Sequence, residues 1–274
     1  MEVDLEPITR IVWWNKELKE LWVPRLRKVS ELYNNTEIAT AIAGMRDVYV
    51  YHVASTDFQN SYKFLRDNDF IFYPTNVSGL YQGFSHKHTT VQPDKPYMVY
   101  GACVKRGNEE KGEKFIEYTN KGDHAGIGRL LGYPECCIEF FERVWNKESI
   151  DPMFEAATWT DGAEIKGDTV TVSCHPYCNQ MLRYFGARIT PHLSHSMDCK
   201  DTIKWGEEWF EIMQELDPES SSWLLELLSV PTTWDCYKGI AIIDTPMFRA
   251  LTNSDGTLKH KKVVNRGWTL TTSS

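Results

Sequence analysis

Thr169-Val170-Thr171-Val172-Ser173 runs directly into Cys174-His175-Pro176-Tyr177-Cys178, and this junction decides how the chain reads. The first five residues read as a strand, the second arm of a hairpin. The next five join that strand to the following short helix and bring two thiols and an imidazole to its exit. Beyond them, Asn179 to Tyr184 reads as a short helix stopped by Gly186. Thr190-Pro191 then reads as the start of a longer helix to about Leu216, because threonine caps open amides and proline suits the first helical position. A strand delivering helices through a donor-rich loop points to an α+β fold.

The flanking sequence agrees. Asp161-Gly162 and Gly167-Asp168 are turn pairs that make a hairpin with the Thr169 strand. Val48 to Val53, Asp69 to Tyr73 and Val99 to Val104 are rich in strand formers, and Lys114-Phe115-Ile116-Glu117-Tyr118 reads as another strand after the turn Gly107 to Gly112. Pro134 opens a helix to about Trp145, a further helix lies near Ser222 to Leu228, and strands follow around Ile240 to Ile243 and Lys262 to Val264. In residues 1–45, Leu18, Leu21, Trp22, Leu26 and Val29 fall near helical spacing, with Pro24 marking a break or kink. The expectation is a single mixed α+β domain over 46–274, with a Cys/His cluster between helices and a helical N-terminal segment, 1–45, packed on it.

With 274 residues and 42% hydrophobic content the chain supports a substantial core. Its formal charge of −8 argues against a nonspecific grip on nucleic acid, which runs on clustered Lys and Arg. The opening Met1-Glu2-Val3-Asp4-Leu5-Glu6-Pro7 has neither a basic nor an apolar leader region, and no apolar run approaches membrane-spanning length. This predicts a cytoplasmic protein without a membrane partner. Seven cysteines is an odd count, and in a reducing compartment clustered thiols favour ligation or reactivity over bridges. Cys103 and Cys236 stand apart as packing residues, Cys103 within a strand.

Six thiol or imidazole side chains fall within the 26 residues from Cys174 to Cys199, namely Cys174, His175, Cys178, His192, His195 and Cys199. Cys136 and Cys137 precede them. On a helix starting at Pro191, His192, His195 and Cys199 stand at i, i+3 and i+7, one narrow face. Cys136 and Cys137 fall in the first turn of the Pro134 helix, where the positive end of the helix dipole favours a thiolate. Adjacent helical side chains diverge by about 100°, so one of the two is the expected contributor to a single ion. Cys174 and Cys178 form a Cys-x3-Cys loop rather than the tighter Cys-x2-Cys knuckle. The metal-ligating candidates are therefore Cys136, Cys137, Cys174, Cys178, His192, His195 and Cys199. Zinc in mixed Cys/His coordination and an iron–sulfur cluster with a histidine ligand both suit such donors.

Two other segments carry candidate chemistry. Gly122-Asp123-His124-Ala125-Gly126-Ile127-Gly128 places an acid beside an imidazole in a glycine-rich loop, so Asp123 and His124 are candidate proton carriers; the alternative is a capping turn. Ser85, His86, Lys87 and His88 concentrate donors that suit phosphate or carboxylate; the alternative is a polar surface loop. Arg183 and Arg188 flank the short helix and suit an anionic substrate.

Gly122-Asp123-His124 followed by Gly128-Arg129-Leu130-Leu131-Gly132-Tyr133-Pro134-Glu135-Cys136-Cys137 resembles a poorly characterised prokaryotic and viral family with a Gly-Tyr-Pro-x-Cys-Cys signature. That family pairs the signature with a downstream His-x-Pro-Cys-Ser-x-x-Cys segment. Here His192-Leu193-Ser194-His195-Ser196-Met197-Asp198-Cys199 is similar, with Ser194 for proline and His195 for cysteine. The resemblance implies a metal site, and the Cys-to-His exchange keeps a donor while favouring zinc over an all-cysteine cluster.

The leading expectation is a metal-centred enzyme, zinc or iron–sulfur, performing group transfer or hydrolysis on an anionic small molecule, nucleotide or nucleic-acid base, base hypermodification included. Ser85, His86, His88 and Arg188 would bind substrate, and Asp123 and His124 would move protons. One alternative is a non-catalytic protein with a structural zinc and a partner-binding surface. The other is a metal-free enzyme with a cysteine nucleophile and a histidine base.

Overall fold

The computed structural model describes residues 9–80, 89–147, 152–237, 240–253 and 261–268. The chain is α+β, as its sequence predicts. The order of elements is β1 (Thr9–Trp13), α1 (Lys16–Ile42), β2 (Val48–Ala54), α2 (Phe58–Asp67), β3 (Phe70–Gly79), β4 (Tyr97–Lys105), α3 (Glu109–Lys121), α4 (His124–Leu130) and α5 (Glu135–Phe141). It continues through α6 (Pro152–Thr158), β5 (Glu164–Lys166), β6 (Thr169–Val172), α7 (Lys200–Leu216), α8 (Pro218–Ser229), β7 (Thr232–Tyr237), β8 (Ile240–Asp244), β9 (Phe248–Asn253) and β10 (Lys261–Asn265). No described helix is long and apolar enough to cross a membrane.

Two compact units emerge, one falling within Glu37–Tyr81 and His86–Glu142, the other within Met1–Thr36 and Arg143–Ser274. The first is organised by an antiparallel sheet of order β2-β4-β3. Period-two alternation splits its side chains between two cores. Tyr49 and Cys103 face Ala41, Leu65 and Phe70 on one side. Val48, Ala102 and Val104 face Phe115 and Leu131 on the other, with Ile127 and Tyr133 packed against them. Cys103 is thus a packing cysteine, as the sequence predicts, fully buried in the central strand.

The predicted strand at Lys114 to Tyr118 is instead the middle of α3. Gly112 and Phe115, three residues apart, are both buried on one face, acidic Glu109 and Glu110 occupy the first turn, and Gly122 caps the end in the left-handed region. Helical spacing and end charges outweigh the short run of strand formers.

The second unit is built on a seven-stranded sheet, β1-β9-β8-β7-β10-β6-β5, whose one parallel pairing joins β10 to β6. The hairpin predicted from the paired turns is present as β5 and β6. Val170, Val172, Trp234, Ile243, Phe248, Ala250 and Val263 are buried along its strands. In α7 the buried face comprises Thr202, Gly206, Trp209, Phe210 and Met213, a helical stripe. Helix α8 starts on Asp217, whose Oδ1 accepts from the Ser220 amide at 3.0 Å, with Pro218 in the first turn.

Helix α1 runs unbroken through Pro24. Its buried residues Trp22, Leu26, Val29, Tyr33, Thr36 and Thr40 recur every three or four positions, and that burial outweighs one lost backbone hydrogen bond. Gly186, with φ of 76°, closes the 3-10 turn Arg183–Phe185 and presses on Ser30, where a Cβ would clash.

Candidate metal centre

Pro134 caps α5, and Cys136 and Cys137 sit in its first turn as predicted. Gly128 in α4 lets that helix lie against Ile138 of α5, since a Cβ there would meet Ile138 Cγ1 at 2.9 Å. The two sulfurs do not diverge as strongly as ideal helical geometry implies, because their Sγ atoms lie 3.8 Å apart. Cys137 is buried and Cys136 half-buried.

The long helix expected from Pro191 begins only at Lys200. His192 and His195 lie in an irregular segment ahead of it, and Cys199 is its N-cap, with Sγ accepting the Thr202 amide at 3.4 Å. The i, i+3, i+7 face therefore does not form. Polar groups of this segment bond instead to distant parts of the chain. Thr190 Oγ1 donates to the Tyr177 carbonyl at 2.9 Å, and Ser194 Oγ to the Cys178 carbonyl at 3.3 Å. The Met197 amide donates to Thr160 Oγ1 at 2.7 Å, and the Met197 carbonyl accepts from the His175 amide at 2.8 Å. Serine and threonine hydroxyls compete with helical hydrogen bonding for backbone groups, and here they win.

The ligand atoms of Cys136, Cys137, His195 and Cys199 all lie within 4.8 Å of one another, so the four can hold a metal ion. Cys199 is buried and His195 half-buried. A hydrogen bond to Cys199 raises the His195 pKa above its ordinary value.

Cys174, Cys178 and His192 stand outside that group. The Cys174 thiol donates to the His175 carbonyl at 3.5 Å and to Met197 Sδ at 3.6 Å. The Cys178 thiol donates to the Cys199 carbonyl at 3.8 Å. Both are fully buried, and burial pushes both thiols well up from their ordinary pKa. His175 caps the turn Pro176–Cys178 through Nδ1, which accepts from the Tyr177 amide at 3.3 Å. Its ring packs edge-on against Tyr177 and Trp268.

Asp123 is the N-cap of α4, its Oδ1 accepting from the Gly126 amide at 2.8 Å. The expected loop is thus a helix from His124 onward. His124 is exposed, its ring 6.0 Å from that of Phe141. Arg188 lies over the Tyr33 ring at 4.2 Å, and Arg183 over Trp234 at 5.6 Å. Ser85, His86, Lys87 and His88 lie outside the described residues.

Thr160 and Thr202 support the donor segment, and the sequence reading assigned them nothing. Cys199-Lys200-Asp201-Thr202 carries the one usable signal for Thr202, an N-cap position followed three residues later by the amide it caps. Thr160 has no local signal, since its partner Met197 is 37 residues away.

No family model matches the chain, and neither does any curated protein or solved structure.

Proposed function

We propose that the protein binds a single metal ion through Cys136, Cys137, Cys199 and His195, and that the ion is zinc. The observation that carries this reading is the 3.8 Å separation of the Cys136 and Cys137 sulfurs. Two thiolates bound to one zinc at about 2.3 Å, at the tetrahedral angle, stand about 3.8 Å apart. The convergence of all four donor atoms within 4.8 Å points the same way. An iron–sulfur cluster distributes its four protein ligands over two or more irons and so spreads the whole set more widely than this. Three sulfurs and one nitrogen complete a tetrahedron, the ligand set of a closed structural zinc site; catalytic zinc keeps one position open. The ion's binding energy then becomes folding energy.

A second reading draws on the partial exposure of His195 and Cys136. If His195 yields its place, the ion serves as a Lewis acid for hydrolysis or group transfer on an anionic small molecule, nucleotide or nucleic-acid base. Asp123 and His124 would then move protons.

Metal analysis of protein purified without oxygen, with cobalt substituted for zinc, tests the proposal. One equivalent of zinc per chain and an intense thiolate-to-cobalt band are expected, both lost in Cys199→Ala. Less than about half an equivalent of zinc or iron, unchanged in Cys199→Ala, overturns it. A cobalt spectrum that changes on adding a candidate anionic substrate selects the open, catalytic form; one that stays fixed selects the structural form.

A further inference from the structure

His192 lies among the donors in sequence but outside the group of four. Its ring is buried, packs against Trp205 with centroids 5.2 Å apart, and places Nε2 at 2.9 Å from Thr202 Oγ1. Thr202 in turn sends its backbone amide to Cys199 Sγ at 3.4 Å. The His192–Thr202 hydrogen bond therefore closes a loop of chain from 192 to 202, and His195 and Cys199 both lie inside it.

We infer that His192 is a positioning residue for the metal centre: through Thr202 it clamps the segment bearing His195 to the first turn of α7, which bears the cap Cys199, and it does not itself ligate. This inference rests on the metal-centre reading above. Two physical effects follow from the clamp. Fixing residue 202 aims its amide at the Cys199 sulfur, and an N–H···S bond stabilises the thiolate charge that the ion requires. Tying residue 192 to residue 202 also removes conformational freedom from the chelating segment, so less entropy is lost when His195 and Cys199 engage the same ion.

The experiment measures zinc affinity by competition with a chromophoric chelator, and the cobalt absorption spectrum, on the full chain. The set is wild type, His192→Phe, Thr202→Val, Thr202→Ser, the double variant His192→Phe/Thr202→Val, and His195→Ala as a ligand control. His192→Phe and Thr202→Val are each expected to weaken zinc about 10- to 100-fold, the range for residues that orient ligands. The double variant should be no weaker than either single one, because both remove the same tie. Thr202→Ser, which keeps the hydroxyl, should bind at close to the wild-type affinity. Cobalt spectra of all these variants should keep the wild-type band positions, whereas His195→Ala shifts them.

A His192→Phe spectrum that shifts as His195→Ala does makes His192 a ligand and overturns the inference. So does an unchanged affinity in His192→Phe, an additive double variant, or a Thr202→Ser as weak as Thr202→Val. If His192→Phe does not fold, the Thr202→Val and Thr202→Ser pair decides between the same outcomes. Wild-type protein that takes up neither zinc nor cobalt defeats the metal reading and this inference with it. Wild type that binds while the variants match it defeats this inference alone.

Discussion

Cys136, Cys137 and Cys199 on one hand, and Cys174 and Cys178 on the other, are the same residue type in one neighbourhood of the sequence, yet the structure treats them differently. The first three bring their sulfurs together with His195. The other two turn their thiols toward backbone carbonyls and Met197 in a fully buried interior. A thiolate needs a nearby cation or solvent, and a buried sulfur whose nearby charge is the negative Asp198 has neither, so it stays protonated and packs as a small hydrophobe. Residue type nominates a ligand; what surrounds the sulfur decides.

The sharpest way to break this comparison is to remove one sulfur from each set. Cys199→Ser is expected to drop bound zinc from about one equivalent to near zero after dialysis against a buffered chelator. Cys174→Ser should keep its zinc and instead lose stability on the order of 1–3 kcal/mol, because a hydroxyl replaces a thiol in a slot shaped by sulfur. Zinc lost equally from both variants would merge the two sets.

Alkylation of the metal-stripped protein probes the same difference through reactivity. Cys136 is half-buried and should react first with iodoacetamide, while Cys174 and Cys178 wait for local opening. Peptide mapping by mass spectrometry should show a rate ratio of at least about a hundredfold. Comparable rates for Cys136 and Cys174 would mean the buried pair is exposed in solution.

Much of this arrangement is legible in the sequence, and the part that is not has a definite cause. Strand formers marked β2 and β4, turn pairs marked the β5–β6 hairpin, and proline marked the start of α5 with its two cysteines. Those signals are local. The helix expected from Pro191 failed because Thr190, Ser194 and Met197 bond to Tyr177, Cys178 and Thr160, partners that lie 13 to 37 residues away. Which donors would converge was hidden for the same reason. The residue types at Cys136, Cys137, His195 and Cys199 named them as candidates, while the exclusion of Cys174, Cys178 and His192 depends on tertiary contacts that no spacing rule contains.

The buried set should also reveal itself through pH. Burial lowers the His175 pKa from its ordinary 6.5 to about 4, because the charged ring loses its hydration. Protons then bind the unfolded chain more readily than the folded one. Stability is complete above pH 6.5, falls as pH drops toward 4 and levels off below, a loss on the order of 1–3 kcal/mol. His192, also buried and lowered to about 4, adds to it. His175→Asn keeps an acceptor for the Tyr177 amide but cannot titrate, so its urea midpoint should fall less steeply between pH 6.5 and 4. Parallel curves for the two proteins would assign the pH dependence to other groups.

The smallest effect concerns Asp123, whose residue type suggests proton transfer and whose observed hydrogen bond is a helix cap. An aspartate that accepts the Gly126 amide stabilises α4 by satisfying a backbone donor at the helix start. Asp123→Ala should cost about 1 kcal/mol, and Asp123→Asn, which caps as well, should restore nearly all of it. Zinc content should be unchanged in both variants, since Asp123 is not among the four donors. Thermal unfolding of the zinc-loaded proteins separates the outcomes: an asparagine variant as unstable as the alanine variant would show that the negative charge, rather than the acceptor oxygen, matters at this position. Asp123 would then be a position where charge is used, unlike Cys174 and Cys178, where only shape and hydrogen bonding are.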